Sequence, residues 1–443
     1  VSESPAGAWN DRMPWVPGNR WDLLAHREPE PVRVSVIVTH YDQPVELART
    51  LLALAAQDYP ADLLEVVVAD DGSPDEPVVP AGVRLVRQDD RGFRAAAARN
   101  LGVGAATGEV LCFLDADTTP ERDYVRKMVR LPTLLPEAVT VGRRRHADLS
   151  EVPLDAPIAE VAPARELDEP AWLRDAYARS GNLLDADDRS YRYVISAVLA
   201  CSRRFFVESG GFDESFSSYG GEDWEWAHRA WQAGAVFAHV PDAVAWHDGP
   251  DWAGRESGDH RRAGNEQTLR LASMIPVDGS SARGLLPTAP DLEVRLPAGV
   301  GIAAAFVCVD SLLVAFPRAR VVTDAARESA ALDGDPRVSA ENGDDVRVVL
   351  ELRVPVVVLD PEPLVRAIAV LSGASVGTVE LVSPEGATLG HAISRRALRR
   401  RRRWDTGDGH RFLTVTVNGM HAVGPEPHVE AWVGGWGGAD RFA

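Results

Sequence analysis

Three separated sets of residues in this chain have the types and spacing to do chemistry together. Asp115 and Asp117 stand at i, i+2 directly behind the apolar run Val110-Leu-Cys-Phe-Leu114. On an extended chain end that spacing turns both carboxylates to one side. Two hard oxygen donors there suit Mn2+ or Mg2+, with ligand oxygens and water completing the shell. His247, in Val244-Ala-Trp-His-Asp248, is a candidate third ligand of the intermediate softness that Mn2+ accepts. Glu222 and Asp223 follow two glycines at the start of a helical pattern. Helix starts favour acids, so N-capping is one reading. The other makes one of the pair, Asp223 by preference, a general base for a hydroxyl proton. Trp224 beside it is placed to stack on a ring, whereas Trp226 reads as core.

These residues need a scaffold that brings them to one edge, and the first half of the chain has the pattern of one. Residues 34–39 form a continuous apolar run of strand length, and Leu47, Leu51, Leu52 and Leu54 follow at helical spacing. A second strand at 64–69 ends on Asp70-Asp71-Gly72-Ser73, a third is expected at 83–86, a helix at 95–106 and the next strand at 110–114. Strand, helix, strand with buried-strand composition specifies a mostly parallel α/β sheet. Ligands of such sheets sit at the carboxyl ends of the strands, where Asp71, Asp115 and Asp117 fall. Residues 143–192 are polar, Pro-bearing and Asp-rich, and read as a long mobile loop near the site. Regular structure is expected again at 194–206 and, as a helix, at 222–233.

The division along the chain follows from composition. Residues 1–30, with Trp9, Trp15 and Trp21, read as an irregular arm packed on a catalytic domain at 31–275. Residues 276–284 have linker chemistry, and 285–443 form an accessory α/β domain without a chemical motif. There, 303–309, 347–358, 376–382 and 412–417 read as strands, and 362–371 and 391–403 as helices.

With 47 Lys and Arg against 66 Asp and Glu, the formal charge of −19 argues against nucleic acid or an anionic membrane as the principal partner. The exception is a cluster of arginines from Arg395 to Arg403, read as a solvated helix face, with a lipid or phosphate patch as the alternative. Cys112, Cys201 and Cys308 are far apart in apolar settings and read as core residues of a reducing compartment. No run approaches the roughly 18 apolar residues of a membrane span, and no signal-peptide pattern opens the sequence, so a cytoplasmic location is expected, with peripheral membrane contact and oligomerisation left open.

Taken together, 34–41, 68–73, Ala98-Arg-Asn-Leu-Gly102, Leu114-Asp-Ala-Asp117, Gly210-Gly-Phe-Asp-Glu214 and Gly221-Glu-Asp-Trp-Glu225 resemble the family 2 glycosyltransferases of GT-A fold. The resemblance implies an inverting transferase that uses a nucleotide-sugar, usually UDP-linked, and a divalent cation. It implies that Thr39 and Tyr41 line the nucleotide pocket, that Asp71 bonds the uracil, and that Arg99 and Asn100 lie near the nucleotide. Asp115 is implied near ribose and metal, and Asp117 as a metal ligand. The Gly-Gly-Glu-Asp segment with its downstream His also resembles β-1,4-galactosyltransferases and chondroitin-type polymerases, which implies Asp223 as the base and His247 on the metal.

Two departures bear on the acceptor. Trp224 stands where those relatives often have an acidic or amide residue, and the Q-x-x-R-W motif of processive synthases is absent. A single transfer to a small-molecule or glycan hydroxyl is therefore expected. The alternatives are a sugar-nucleotide nucleotidyltransferase, which wants a Gly-rich basic segment where this chain has Thr39-His-Tyr-Asp-Gln-Pro44, and a non-catalytic nucleotide-sugar or glycan-binding protein.

Overall fold

The computed structural model describes residues 14–250, 258–286, 288–343, 346–404 and 409–442. They divide into two compact units that meet in sequence between Leu271 and Ala272. Trp9 and the rest of 1–13 lie outside the described residues.

The first unit is built on strands β1 (Val34–His40), β2 (Leu64–Asp70), β3 (Arg84–Arg87), β4 (Val110–Asp115), β5 (Thr118–Pro120), β6 (Ala138–Ala147), β7 (Glu166–Leu167), β8 (Val198–Ser202) and β9 (Val236–Asp248). They form one sheet in the order β3-β2-β1-β4-β8-β6-β9-β5, with β7 on β6. The β1, β2, β3 and β4 pairings are parallel, and β8 is the antiparallel insertion between β4 and β6. The expected mostly parallel α/β sheet is present. Its centre is apolar on both faces: Val34, Val36, Ile37 and Val38 of β1 are fully buried, each contributing roughly 1.5–3 kcal/mol relative to exposure.

Helices α1 (Pro44–Ala55), α2 (Ala95–Ala105) and α3 (Tyr124–Leu134) fill the crossovers. In α1, Pro44 opens the helix and Leu47, Leu51 and Leu54 are buried, while Leu52 is exposed, as a one-sided apolar stripe requires. Residues 143–192 are not a long loop. β6 runs to Ala147, and α4 (Ile158–Val161), β7 and α5 (Ala171–Arg179) follow. Short apolar groups anchor this segment: Leu149, Val152, Ile158 and Ala162 pack on Val244 and Trp246. α6 (Arg203–Glu208) and α7 (Glu222–Gln232) precede β9, and α8 (Gly258–Met274) carries the chain past Leu271. In the described part of the amino-terminal segment, Asn19 is buried; its amide donates to the carbonyls of Leu183 and Phe237 and accepts from Phe237 N.

The second unit has its own sheet. β10 (Leu292–Arg295), β11 (Arg320–Val322), β12 (Val338–Ser339) and β13 (Val348–Leu352) are mutually parallel, and β14 (Val356–Val358) stands apart from them. β15 (Val376–Val382), β16 (Thr388–Ser394) and β17 (Arg411–Thr416) complete the order β12-β11-β10-β13-β16-β15-β17, and β18 (Met420–Ala422) pairs with β14.

Two expectations change here. Residues 303–309 are helix, inside α9 (Ile302–Ala315), where eight of the fourteen residues are buried; a run apolar on most sides shows no period to separate helix from strand. Residues 391–394 are strand, and the helix starts only after Ser394. Later helices are α10 (Ala330–Asp333), α11 (Pro361–Ala369), α12 (Arg395–Arg403) and α13 (Val429–Gly434). α12 is not simply a solvated basic face: Arg396 and Arg400, at i and i+4, are buried, while Arg399, Arg401 and Arg402 are exposed. No helix among the described residues is long and apolar enough to cross a membrane.

Candidate active site

The carboxyl ends of β1, β2 and β4 open on a cavity of about 450 Å3, whose walls include Thr39, Tyr41, Asp71, Arg99, Asp115, Asp117 and His247. Parallel register sets Thr39 beside Asp115 and His40 beside Asp70, so residues far apart in sequence meet at one edge. The Thr39 hydroxyl is buried there without a hydrogen-bond partner, and Tyr41 is half exposed at the rim.

Asp70 and Asp71 point to different work. Asp70 is fully buried, bonded to His40 Nδ1 at 2.8 Å and accepting from Ser73 N at 3.0 Å, and it ties the ends of β1 and β2 together. Asp71 reaches the cavity but accepts from Gln88 Nε2 at 2.5 Å and from Arg94 N at 2.7 Å. Burial raises its carboxyl, against the pull of those donors. A carboxylate has about four lone-pair positions, so Asp71 retains acceptor capacity toward a ligand.

Asp117 and His247 are brought together by antiparallel pairing of β5 with β9, in which Thr118 faces His247 and Asp248 N donates to Asp117 O at 2.9 Å. The end of β9 is fixed by the buried Arg49 of α1, whose guanidinium meets the Asp248 carboxylate at 3.0 Å. His247 Nδ1 then lies 3.3 Å from Asp117 Oδ1, buried and without a hydrogen-bond partner. Gln43 Nε2 donates to the other Asp117 oxygen at 3.2 Å. Burial opposes ionisation of Asp117, and contact with His247, then Gln43 and Arg144, outweighs it and brings the carboxyl down to about 2.

An orphaned imidazole nitrogen beside an ionised carboxylate is a donor pair that fits a divalent cation. Their separation is close to the ~3 Å between neighbouring ligands of a six-coordinate ion with bonds near 2.1 Å. Asp115 lines the same cavity. Its Oδ1 accepts from Arg99 at 2.9 Å, and among the described residues no group of three or more His, Cys, Asp or Glu is arranged to hold a metal. Of the three residues expected on the metal, Asp117 and His247 are in contact with each other, while one oxygen of Asp115 meets the buried Arg99 guanidinium.

Arg99 links this edge to the second acidic pair. Its other terminal nitrogen donates to Glu222 Oε1 at 2.7 Å, and both side chains are almost wholly buried. Glu222 and Asp223 begin α7, after Gly221, which stands at φ 99° in the left-handed region; a Cβ there would also lie 3.1 Å from the Phe216 ring. Asp223 accepts from Trp224 N at 2.8 Å and Ser196 N at 3.3 Å. Burial, reinforced by the like charge of Glu222 and moderated by Arg99, pushes its carboxyl up to about 7. That is the range in which a carboxylate accepts a proton well at neutral pH. Asp223 and Trp224 are not among the residues lining the cavity. Trp224 belongs to an aromatic group, edge-on to Trp172 at 6.4 Å and to Tyr191 at 6.2 Å. Trp226 is fully buried, against Phe206 and Phe212.

Asn100, expected near a nucleotide, bonds the chain's own backbone. It is outside the cavity lining, donating to Phe212 O at 2.8 Å and accepting from Phe212 N at 3.1 Å. It orders the Gly210-Gly211 turn. Conversely, Gln43, Arg144, Phe93 and Tyr219 line the cavity without having been singled out. Phe93 and Tyr219, both partly exposed, meet at 5.4 Å. For Arg144 a signal existed: in extended Arg143-Arg144-Arg145 the outer two share a face, where they pair with Glu169 and Glu166, leaving the middle one to the cavity.

Comparison with known proteins finds two family models that match parts of the chain. Residues 35–176 match "Glycosyl transferase family 2", and residues 185–245 match "N-terminal domain of galactosyltransferase". A hyaluronan synthase of Pasteurella multocida is 28% identical over 333 residues, 68% of this chain and 33% of that protein. A chondroitin synthase of Escherichia coli is 29% identical over 260 residues, 54% of this chain and 38% of that one. A validoxylamine A glucosyltransferase of Streptomyces hygroscopicus subsp. jinggangensis is 30% identical over 215 residues, 44% of this chain and 50% of its own. The chain thus spans between a third and a half of the length of these relatives.

Proposed function

We propose, because residues 35–176 match glycosyl transferase family 2, that this protein moves a sugar from a nucleotide-sugar, UDP-linked by preference, to a hydroxyl of a glycan or small-molecule acceptor, with inversion. The observation that carries the reading is the chain Asp115–Arg99–Glu222, which ties the strand-end cavity to the start of α7, where Asp223 holds a carboxyl near pKa 7.

In this reading the nucleotide occupies the cavity, with the unpartnered Thr39 hydroxyl, Tyr41 and Asp71 toward the nucleoside. Asp223 takes the acceptor hydroxyl proton as the oxygen attacks the anomeric carbon from the face opposite the leaving group. The bond from the anomeric carbon to phosphate oxygen breaks, and the diphosphate leaves with the electron pair. Asp117 and His247 would hold Mn2+ or Mg2+, which supplies positive charge for the leaving diphosphate. Arg144, on the same wall, adds a fixed cation. Glu222 keeps Arg99 in place and, by its charge, keeps Asp223 basic. Trp224, with Trp172, offers an aromatic face to the acceptor.

The test is a panel of UDP-, GDP- and dTDP-sugars assayed for nucleoside diphosphate release with Mn2+ present. Release of UDP is expected; pyrophosphate release would mean nucleotidyl transfer, and no release with intact binding would mean a binding protein. His247→Ala should shift the Mn2+ titration of that release to concentrations higher by about tenfold or more, the usual scale for losing a ligand-sphere residue. An unchanged titration would remove His247 from the metal site.

A further inference from the structure

A second cavity, of about 260 Å3, lies in the same unit, walled by Leu173, Tyr177, Ile195, Val198, His239 and Arg144. Arg144 lines both cavities. Ile195 immediately precedes Ser196, whose amide donates to Asp223. The second cavity therefore shares Arg144 with the first and borders the segment whose amide donates to Asp223.

Its polar feature is His239. The ring is only 6% exposed and stacks on Tyr177 at 3.6 Å and 3°. Nδ1 lies 2.9 Å from Asn182 Oδ1. An amide oxygen only accepts, so this contact assigns the proton to Nδ1 and leaves a lone pair on Nε2. Nε2 is buried and has no hydrogen-bond partner. Burial lowers the imidazole pKa to about 3, with Arg143 acting in the same direction, so the lone pair persists at neutral pH. A buried acceptor left unmatched costs about 1–3 kcal/mol, and a ligand hydroxyl removes that cost. Two charged wall residues are matched, Arg143 with Glu169 at 2.7 Å and Arg174 with Asp175 at 3.2 Å, and the charge of Arg144 acts on Asp117 of the first cavity. Leu173, Ile195 and Val198 give the remaining wall an apolar surface suited to the C–H face of a ring. The volume is below the roughly 300–1,000 Å3 of drug-sized sites, which favours one ring over a chain.

We infer that this second cavity is an acceptor subsite seating one uncharged, polyhydroxylated ring, with a ring hydroxyl donating to His239 Nε2. The inference rests on the glycosyl-transfer reading above. It is tested on the full chain by saturation-transfer NMR with the methyl glycosides of glucose, galactose and N-acetylglucosamine, in the presence of UDP and Mn2+. Two variants are compared with the parent. Ala178→Trp fills the cavity from an exposed position of α5 that lines it, and His239→Phe keeps an aromatic ring on Tyr177 while removing the lone pair.

At least one glycoside should bind the parent, and both variants should weaken it by about tenfold, the worth of one hydrogen bond or more. UDP binding measured by calorimetry with Mn2+ should be unchanged. Equal glycoside binding by parent and Ala178→Trp, or no glycoside binding beside normal UDP binding, overturns the subsite. Failure to bind UDP with Mn2+ instead counts against the nucleotide-sugar reading, and glycoside binding lost in both variants would still support the subsite.

Discussion

Asp223→Asn is expected to lower kcat by about 10²–10⁴, the range for a general base, while UDP binding measured with Mn2+ stays within about twofold of the parent. The two readouts separate because Asp223 is outside the lining of the nucleotide-sized cavity. The parent's kcat should fall about tenfold per pH unit below about 7, where Asp223 becomes protonated; the Asn variant should have no such limb. Near-normal turnover by the variant, or a flat parent profile between pH 5 and pH 8, would exclude Asp223 as the base.

The same carboxyl has a consequence for stability. Its folded pKa of about 7 lies above the ordinary 3.8. Between those values the unfolded chain releases the proton and the folded chain keeps it, so stability falls as pH rises through this window and levels off above it. At about 1.4 kcal/mol per pKa unit, discounted for part exposure, the parent should lose roughly 2 kcal/mol by pH 8 that Asp223→Asn does not lose. Parallel urea melts at pH 5 and pH 8 read the difference. A variant that is less active but relatively more stable at high pH is the signature of a site held against its own charge preference.

Arg99→Met is the second large effect. The buried guanidinium satisfies Glu222 and Asp115 at once, and its removal leaves Glu222, with one oxygen already unpartnered, as an uncompensated buried charge. Breaking such a pair costs about 3–5 kcal/mol; Asp115, 30% exposed on its side chain, adds little because water replaces its partner. Arg99 also holds the Asp223 pKa down, so the acid limb of the kcat profile should move to higher pH. Arg99→Lys should restore part of the stability but not both contacts, since one ammonium lacks the two-pronged geometry of the fork. A melt within about 1 kcal/mol of the parent would show that Glu222 has another source of compensation.

Much of this site was legible in the sequence because its residues sit where regular elements end. The apolar runs at 34–39, 64–69 and 110–114 appear as β1, β2 and β4 with at most a residue or two added at each end. Parallel strands with buried faces permit little else, so Thr39, Asp71 and Asp115 had to reach one edge. Asp223 was legible as an acid following a glycine pair at a helix start. What a motif does not record is which partner meets each side chain: the Asn100 amide bonds Phe212, and Asp115 pairs with Arg99.

The sequence by itself determined the parallel scaffold, the acidic strand ends and the helix that opens on Glu222-Asp223, because each follows from local pattern over a few consecutive residues. Only the tertiary structure decided the rest. Pairing of β5 with β9 set Asp117 against His247, Arg99 joined Asp115 to Glu222, and burial lifted the Asp223 carboxyl. Each of these depends on contacts between segments roughly a hundred residues apart and on how much water they exclude, neither of which a local pattern records.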